Sequence, residues 1–93
     1  MPTSLSAGRR VRQNLKRRAR NRAAKSKVKT QISKLLAALE SGDVEASRRE
    51  FRLASQAIDK AAGKGVLHRN TAARRKSRLA AMVHRLASQA QEG

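Results

Sequence analysis

The side chains able to do chemistry in this sequence are overwhelmingly cations: 23 Lys and Arg against six carboxylates, two histidines and no cysteine, for a formal net charge of +17 over 93 residues. His68 and His84 stand apart, without Cys or Asp companions at ligand spacing, so no metal site is expected. No Ser/His/Asp grouping, carboxylate pair or Gly-rich phosphate loop is visible, and catalysis is not expected either. Lack of Cys removes disulfides and thiolate sites together. What remains is the chemistry of guanidinium and ammonium groups meeting an anion. Each neutralised phosphate frees a condensed counterion, and Arg adds bidentate hydrogen bonds. The residue types therefore point to a binding protein for a polyanion, with no cofactor.

The cations are not spread evenly. Residues 1–39 hold 12 basic side chains and no acidic one. Residues 40–59 hold five acids (Glu40, Asp43, Glu45, Glu50, Asp59) against Arg48, Arg49 and Arg52, a rough balance. Residues 60–93 return to eight basic and one acidic. The two flanking segments carry the field, and the middle one is expected to contribute little.

Those side chains need elements to hold them. Ala, Arg, Lys, Leu, Ser and Gln dominate, Pro occurs only at position 2, and aromatic residues reduce to Phe51. These are helix formers with few breakers, which predicts an all-α chain. Two interruptions divide it. At Ser41-Gly42-Asp43, Gly42 suits a helix C-terminus and Asp43 the next N-cap. At Gly63-Lys64-Gly65 a second helix ends, and Asn70 reads as the N-cap of a third. Helix one is expected at about 7–40 with a basic arm at 7–27, helix two at about 44–62 and helix three at about 71–90, in one domain spanning 1–93. Apolar residues recur with helical period: Val28, Ile32, Leu35, Leu36 and Leu39, then Val44, Phe51, Ala54, Ile58 and Ala61 or Ala62, then Ala72, Leu79, Met82, Val83, Leu86 and Ala90. Three stripes with short connections predict an antiparallel three-helix bundle, closed at one end by Val66 and Leu67. The first helix is too long for its neighbours and should overhang by roughly 20 Å at 1.5 Å per residue.

The overhang carries the functional signal. On the side that continues the core stripe lie Arg10, Asn14, Arg17, Arg18, Asn21 and Lys25, where apolar residues have given way to cations and amides. Arg9, Arg12, Lys16, Arg20, Arg22, Lys27 and Lys29 cover the other sides. A charge run is ordinarily a solvated face or a disordered tail. A helix charged all round, without an acid over 39 positions, repels itself in water and is better explained by nucleic acid on several sides. A second basic rail is expected on helix three. Arg74, Arg78 and Arg85 project to one side, and Arg75 and Lys76 crowd the first turn beside Arg69. With no aromatics beyond Phe51, base-stacking platforms are lacking, so recognition should be of folded RNA shape and backbone.

Rival readings fail on spacing. Residues 17–27 look like the basic region of a zipper protein, but stepping by seven from Val28 gives Leu35, Gly42 and Arg49, which is no zipper. A membrane-active peptide segregates charge from apolar bulk, and the arm is charged on both sides. A nonspecific nucleoid-type DNA-binding protein is the remaining alternative. It lacks the expected strands, dimerising patch and wedge residues. No apolar run approaches the roughly 18 residues needed to span a bilayer, and no apolar leader is visible, so a cytoplasmic location without membrane or DNA partners is expected.

The segment Gly65-Val66-Leu67-His68-Arg69-Asn70-Thr71-Ala72-Ala73-Arg74-Arg75-Lys76-Ser77-Arg78-Leu79-Ala80 closely resembles the hallmark of the bacterial small-subunit ribosomal protein twenty family. Arg20 to Ser26, Gly42-Asp43-Val44-Glu45-Ala46 and Ala57 to Ala62 fit the same family. The match weakens at Pro2–Gly8, which is poor in cations, and after Leu86. The resemblance implies a three-helix protein of the ribosome that binds 16S ribosomal RNA directly and supports subunit assembly. Its first helix would reach into RNA near the 5′ domain and the long penultimate helix, and it would meet other small-subunit proteins only peripherally. By that resemblance Arg9, Arg10, Lys16, Arg17, Arg18, Arg22 and Lys25 would touch RNA, as would His68, Arg69, Asn70, Thr71, Arg74, Arg75, Lys76 and Arg78.

Overall fold

From Thr3 to Ser41 the backbone forms one unbroken helix, α1. Between Gly8 and Gly42 there is neither Gly nor Pro to interrupt it. Gly42 then turns the chain in the left-handed region (φ 77°), its N–H donating to the Leu39 carbonyl at 3.2 Å. Only glycine enters that region without a Cβ penalty, so the helix stops there. Asp43 caps the next helix, α2 (Val44–Gly63), its side chain accepting from the Ala46 N–H at 3.1 Å. The helix ends in a Schellman arrangement. Gly65 takes φ 77°, its N–H donates to the Ala62 carbonyl at 3.0 Å, and the Val66 N–H reaches the Ala61 carbonyl at 2.9 Å. The third helix, α3, spans Arg69–Glu92. This computed structural model describes residues 3–92, and side chains from Gly8 to Ala90. Met1, Pro2, Gly93 and most of the Pro2–Gly8 side chains lie outside it.

The start of α3 differs from expectation. Asn70 is not the N-cap, because His68 already does that work. Its Nδ1 accepts the Asn70 N–H at 3.1 Å, and its carbonyl accepts the Ala72 N–H at 3.0 Å. A ring nitrogen at the cap satisfies the Asn70 N–H, one of the orphan donors of the first turn, so the helix begins two residues earlier and Asn70 falls inside that turn.

The chain is all-α, three packed helices with an extended first one. Val28 and Leu35 of α1, Ala54, Ile58 and Ala61 of α2, and Ala72, Leu79 and Val83 of α3 form the buried core. Phe51, Val66 and Leu67 pack partly buried against it. Fully burying a side chain such as Leu35 or Ile58 contributes about 1.5–3 kcal/mol each. The middle helix α2 packs against both others, whereas α1 and α3 barely meet.

That geometry moves three expected core residues to the surface. Leu36 is 44% exposed, Met82 is 43% exposed, and Ala90 also faces solvent. Helical period alone would put them inside. Because α1 and α3 diverge, the stripe edges that face each other line an open cleft of about 660 Å³ containing Leu36, Leu39, Met82 and Leu86. Ser47, which no apolar pattern singles out, is fully buried instead, and its hydroxyl has no hydrogen-bond partner.

The overhang is plain in the dimensions. The Cα trace measures 73 × 22 × 13 Å, with a radius of gyration of 18.5 Å. A compact chain of this length would have about 12 Å.

Candidate nucleic-acid interface

The forward part of α1 has no protein neighbour. Val11 and Leu15 are 56% and 57% exposed, and every Lys and Arg from Arg9 to Lys34 faces solvent. Among the described residues the one ion pair lies elsewhere, so no carboxylate neutralises the arm. Uncompensated cations along one rod raise its potential over its whole length, and nothing of opposite sign in the chain relieves it.

Within this arm the structure gathers some of the expected residues and leaves others apart. Arg18, Asn21, Arg22, Lys25, Ser26 and Lys29, spaced three and four residues apart, line one shallow groove of about 430 Å³ on the helix surface. Lys25 and Lys29 then continue into a second cleft of about 510 Å³, floored by Val28, Ile32, Val66 and Leu67 and closed on the far side by Arg75. The cationic track of α1 thus runs without a break to the start of α3. The turn at 63–68 brings this about, because its apolar pair Val66–Leu67 seats on the core and sets Arg75 beside α1.

Arg9, Arg10, Arg12, Lys16 and Arg17 lie on the overhang, outside both of these clefts, and Arg20 and Lys27 occupy other flanks of the same helix. Arg69, Asn70, Arg74 and Arg78 are exposed on the first turns of α3, and Thr71 is half-buried. His68 is exposed, with Nδ1 committed to the cap. Lys76 stands apart from this group. Its Nζ lies 2.9 Å from Asp59 Oδ1 and 3.2 Å from Oδ2, joining α3 to α2. An exposed pair of this kind contributes about 0–1 kcal/mol, yet it partly cancels a cation that was expected to face RNA.

Sequence reasoning passed over Lys60 and Lys64. They line a further cleft of about 440 Å³ with Lys27 and Gln31 of α1, on the opposite edge of α1 from Arg75. The signal was available in the helical phase of α2, but counting charges per segment hid it. Among the described residues no group of three or more His, Cys, Asp or Glu could hold a metal ion, and no helix is long and apolar enough to cross a membrane.

The arrangement can clamp a phosphate backbone and position it. The profile of the family described as ribosomal protein S20 matches residues 2–84. The small ribosomal subunit protein bS20 of Natranaerobius thermophilus is 49% identical over 88 residues, covering 95% of this chain and all of the relative. The bS20 proteins of Teredinibacter turnerae (46% over 88 residues) and Rhodopirellula baltica (41% over 90 residues) match over their full lengths too. With an acid-free helical arm, a hallmark turn at 65–80 and relatives matched from end to end, this chain belongs to the ribosomal protein S20 family, whose members are structural proteins and not enzymes.

Proposed function

We propose that this small-subunit ribosomal constituent binds 16S ribosomal RNA directly, through the α1 arm and the first turns of α3, and so supports assembly of the subunit. One observation carries the reading: an exposed arm without a single acid, whose cationic groove passes from Arg18 through Lys25 and Lys29 to Arg75 without interruption. A chain self-repelling to this degree is completed by a polyanion, and binding would stabilise the arm by relieving that repulsion. The RNA-facing set comprises Arg9, Arg10, Arg12, Lys16, Arg17, Arg18, Arg20, Asn21, Arg22, Lys25, Lys27 and Lys29 on α1. On α3 and its cap it comprises His68, Arg69, Asn70, Thr71, Arg74, Arg75, Lys76 and Arg78, with Lys76 the weakest member because Asp59 competes for it. The 5′ domain and the penultimate-helix region are the expected RNA elements, and other small-subunit proteins touch the chain only at its edges.

Chemical footprinting of naked 16S RNA tests this. Wild-type protein should protect one discrete junction. Arg17→Ala, Arg18→Ala and Arg22→Ala together should weaken binding and lower the slope of log K against log salt by up to about three units. Diffuse protection, equal affinity for duplex DNA, or an unchanged slope would each reject the proposal.

A further inference from the structure

By residue count the middle helix is nearly neutral. Its surface is not. At about 100° per residue, Arg49, Arg52, Leu53, Gln56, Lys60 and Lys64 fall in one stripe roughly 120° wide, opposite the buried Ala54 and Ile58. The four cations and Gln56 are exposed. The acids of α2 and its cap lie off this stripe or at its beginning. Asp43 is the cap itself, Glu45 sits in the first turn, Glu50 is half-buried, and Asp59 is engaged by Lys76. Folding therefore sorts a balanced segment into a cationic outer face.

This face has a place to seat a backbone. At its C-terminal end Lys60 and Lys64 join Lys27 across the α1–α2 seam, around a cleft whose floor includes Ala57, Ala61 and the 40%-exposed Leu53. It lies across the buried Val28–Leu35 ridge of α1 from the Arg75 cleft, so one stretch of backbone following the first track cannot also fill this one. We infer that α2 forms a second phosphate-binding surface, through Arg49, Arg52, Lys60 and Lys64, which holds a different segment of folded RNA from the segment on the α1–α3 track. Charge complementarity names the occupant: four exposed cations run from Arg49 to Lys64, Glu45 is the one exposed acid on the stripe and stands at its start, and Lys27, Lys60 and Lys64 ring the cleft at the other end. The inference rests on the RNA-binding reading above.

The test uses the full chain on naked 16S RNA, comparing wild type, the arm variant (Arg17→Ala, Arg18→Ala, Arg22→Ala) and an α2 variant (Arg49→Ala, Arg52→Ala, Lys60→Ala, Lys64→Ala). All four α2 positions are exposed, and unchanged thermal melting by circular dichroism verifies the fold. A milder Lys60→Gln, Lys64→Gln variant serves if the quadruple change alters melting. The α2 variant should lower the salt slope by roughly two to four units, about one for each phosphate it no longer neutralises. It should also fail to protect nucleotides that the arm variant still protects. If the arm variant loses protection while both α2 variants retain the wild-type slope and footprint, the α2 surface binds no RNA and the inference falls alone. That outcome would leave the stripe to an acidic protein. If wild type shows no discrete protection, the RNA-binding reading falls and takes this inference with it.

Discussion

The two halves of α1 share one backbone and almost one composition of helix formers, yet they answer to different partners. From Val28 to Leu39 the helix has apolar residues on one face, and α2 above all packs over it, with Val66 and Leu67 of the second turn against the same core. From Arg9 to Arg20 the same face is Arg10, Asn14, Arg17 and Arg18, and every side chain of that stretch is exposed, while Asn21 and Lys25 continue the face to where the bundle begins. A protein core repays the entropy of ordering a helix through buried area. The arm buries nothing, so its order depends on helix propensity alone until phosphates arrive. One continuous helix lets the folded half aim the unsupported half, which is how a bundle this small can present cations some 20 Å beyond its own core.

Substitutions can break or sharpen that comparison. The largest effect belongs to Leu35, which is fully buried: Leu35→Ala should destabilise the free protein by about 2–5 kcal/mol, read as a fall in thermal midpoint or loss of a cooperative transition. An unchanged melt would show that the α1–α2 seam is not the core. Ser47→Ala comes next and has the opposite sign. Removing a buried hydroxyl without a partner should stabilise by about 1 kcal/mol, raising the midpoint by roughly 4–8 °C. A lower midpoint would mean that the hydroxyl makes a bond the helices need. Leu36→Ala, one residue from Leu35 but facing the open cleft, should cost under about 1 kcal/mol, and Leu15→Ala on the arm should leave melting unchanged. A loss at Leu36 as large as at Leu35 would show that α3 closes onto α1 in solution.

Much of this architecture is encoded locally. Gly42 with Asp43, and Gly63 with Gly65, break the helical pattern where the backbone turns, since a left-handed residue and a capping carboxylate act within four residues of themselves. The acid-free arm is likewise legible, because a partnerless charge run needs no tertiary information to be seen. The cap of α3 is not: the residue pattern favours Asn70 over His68, because an imidazole cap is chemically equivalent but less usual. The choice between them depends on where the Schellman turn delivers the chain.

Sequence by itself determined the three helices, their breaks and the sign and place of the charge, since propensity, capping and composition are local or additive. Tertiary structure decided which cations share a surface. Period assigns a residue to a side of its own helix, but the crossing of α1, α2 and α3 sets what lies opposite. Thus Leu36 and Met82 became the walls of a cleft, Asp59 took Lys76 from 17 residues away, and Arg75 joined Lys25 and Lys29. The same folding left Glu50 half-buried, Asp59 engaged by Lys76 and Glu45 at the first turn, with Arg49, Arg52, Lys60 and Lys64 on one exposed stripe, a sorting that no count of charges along the chain contains.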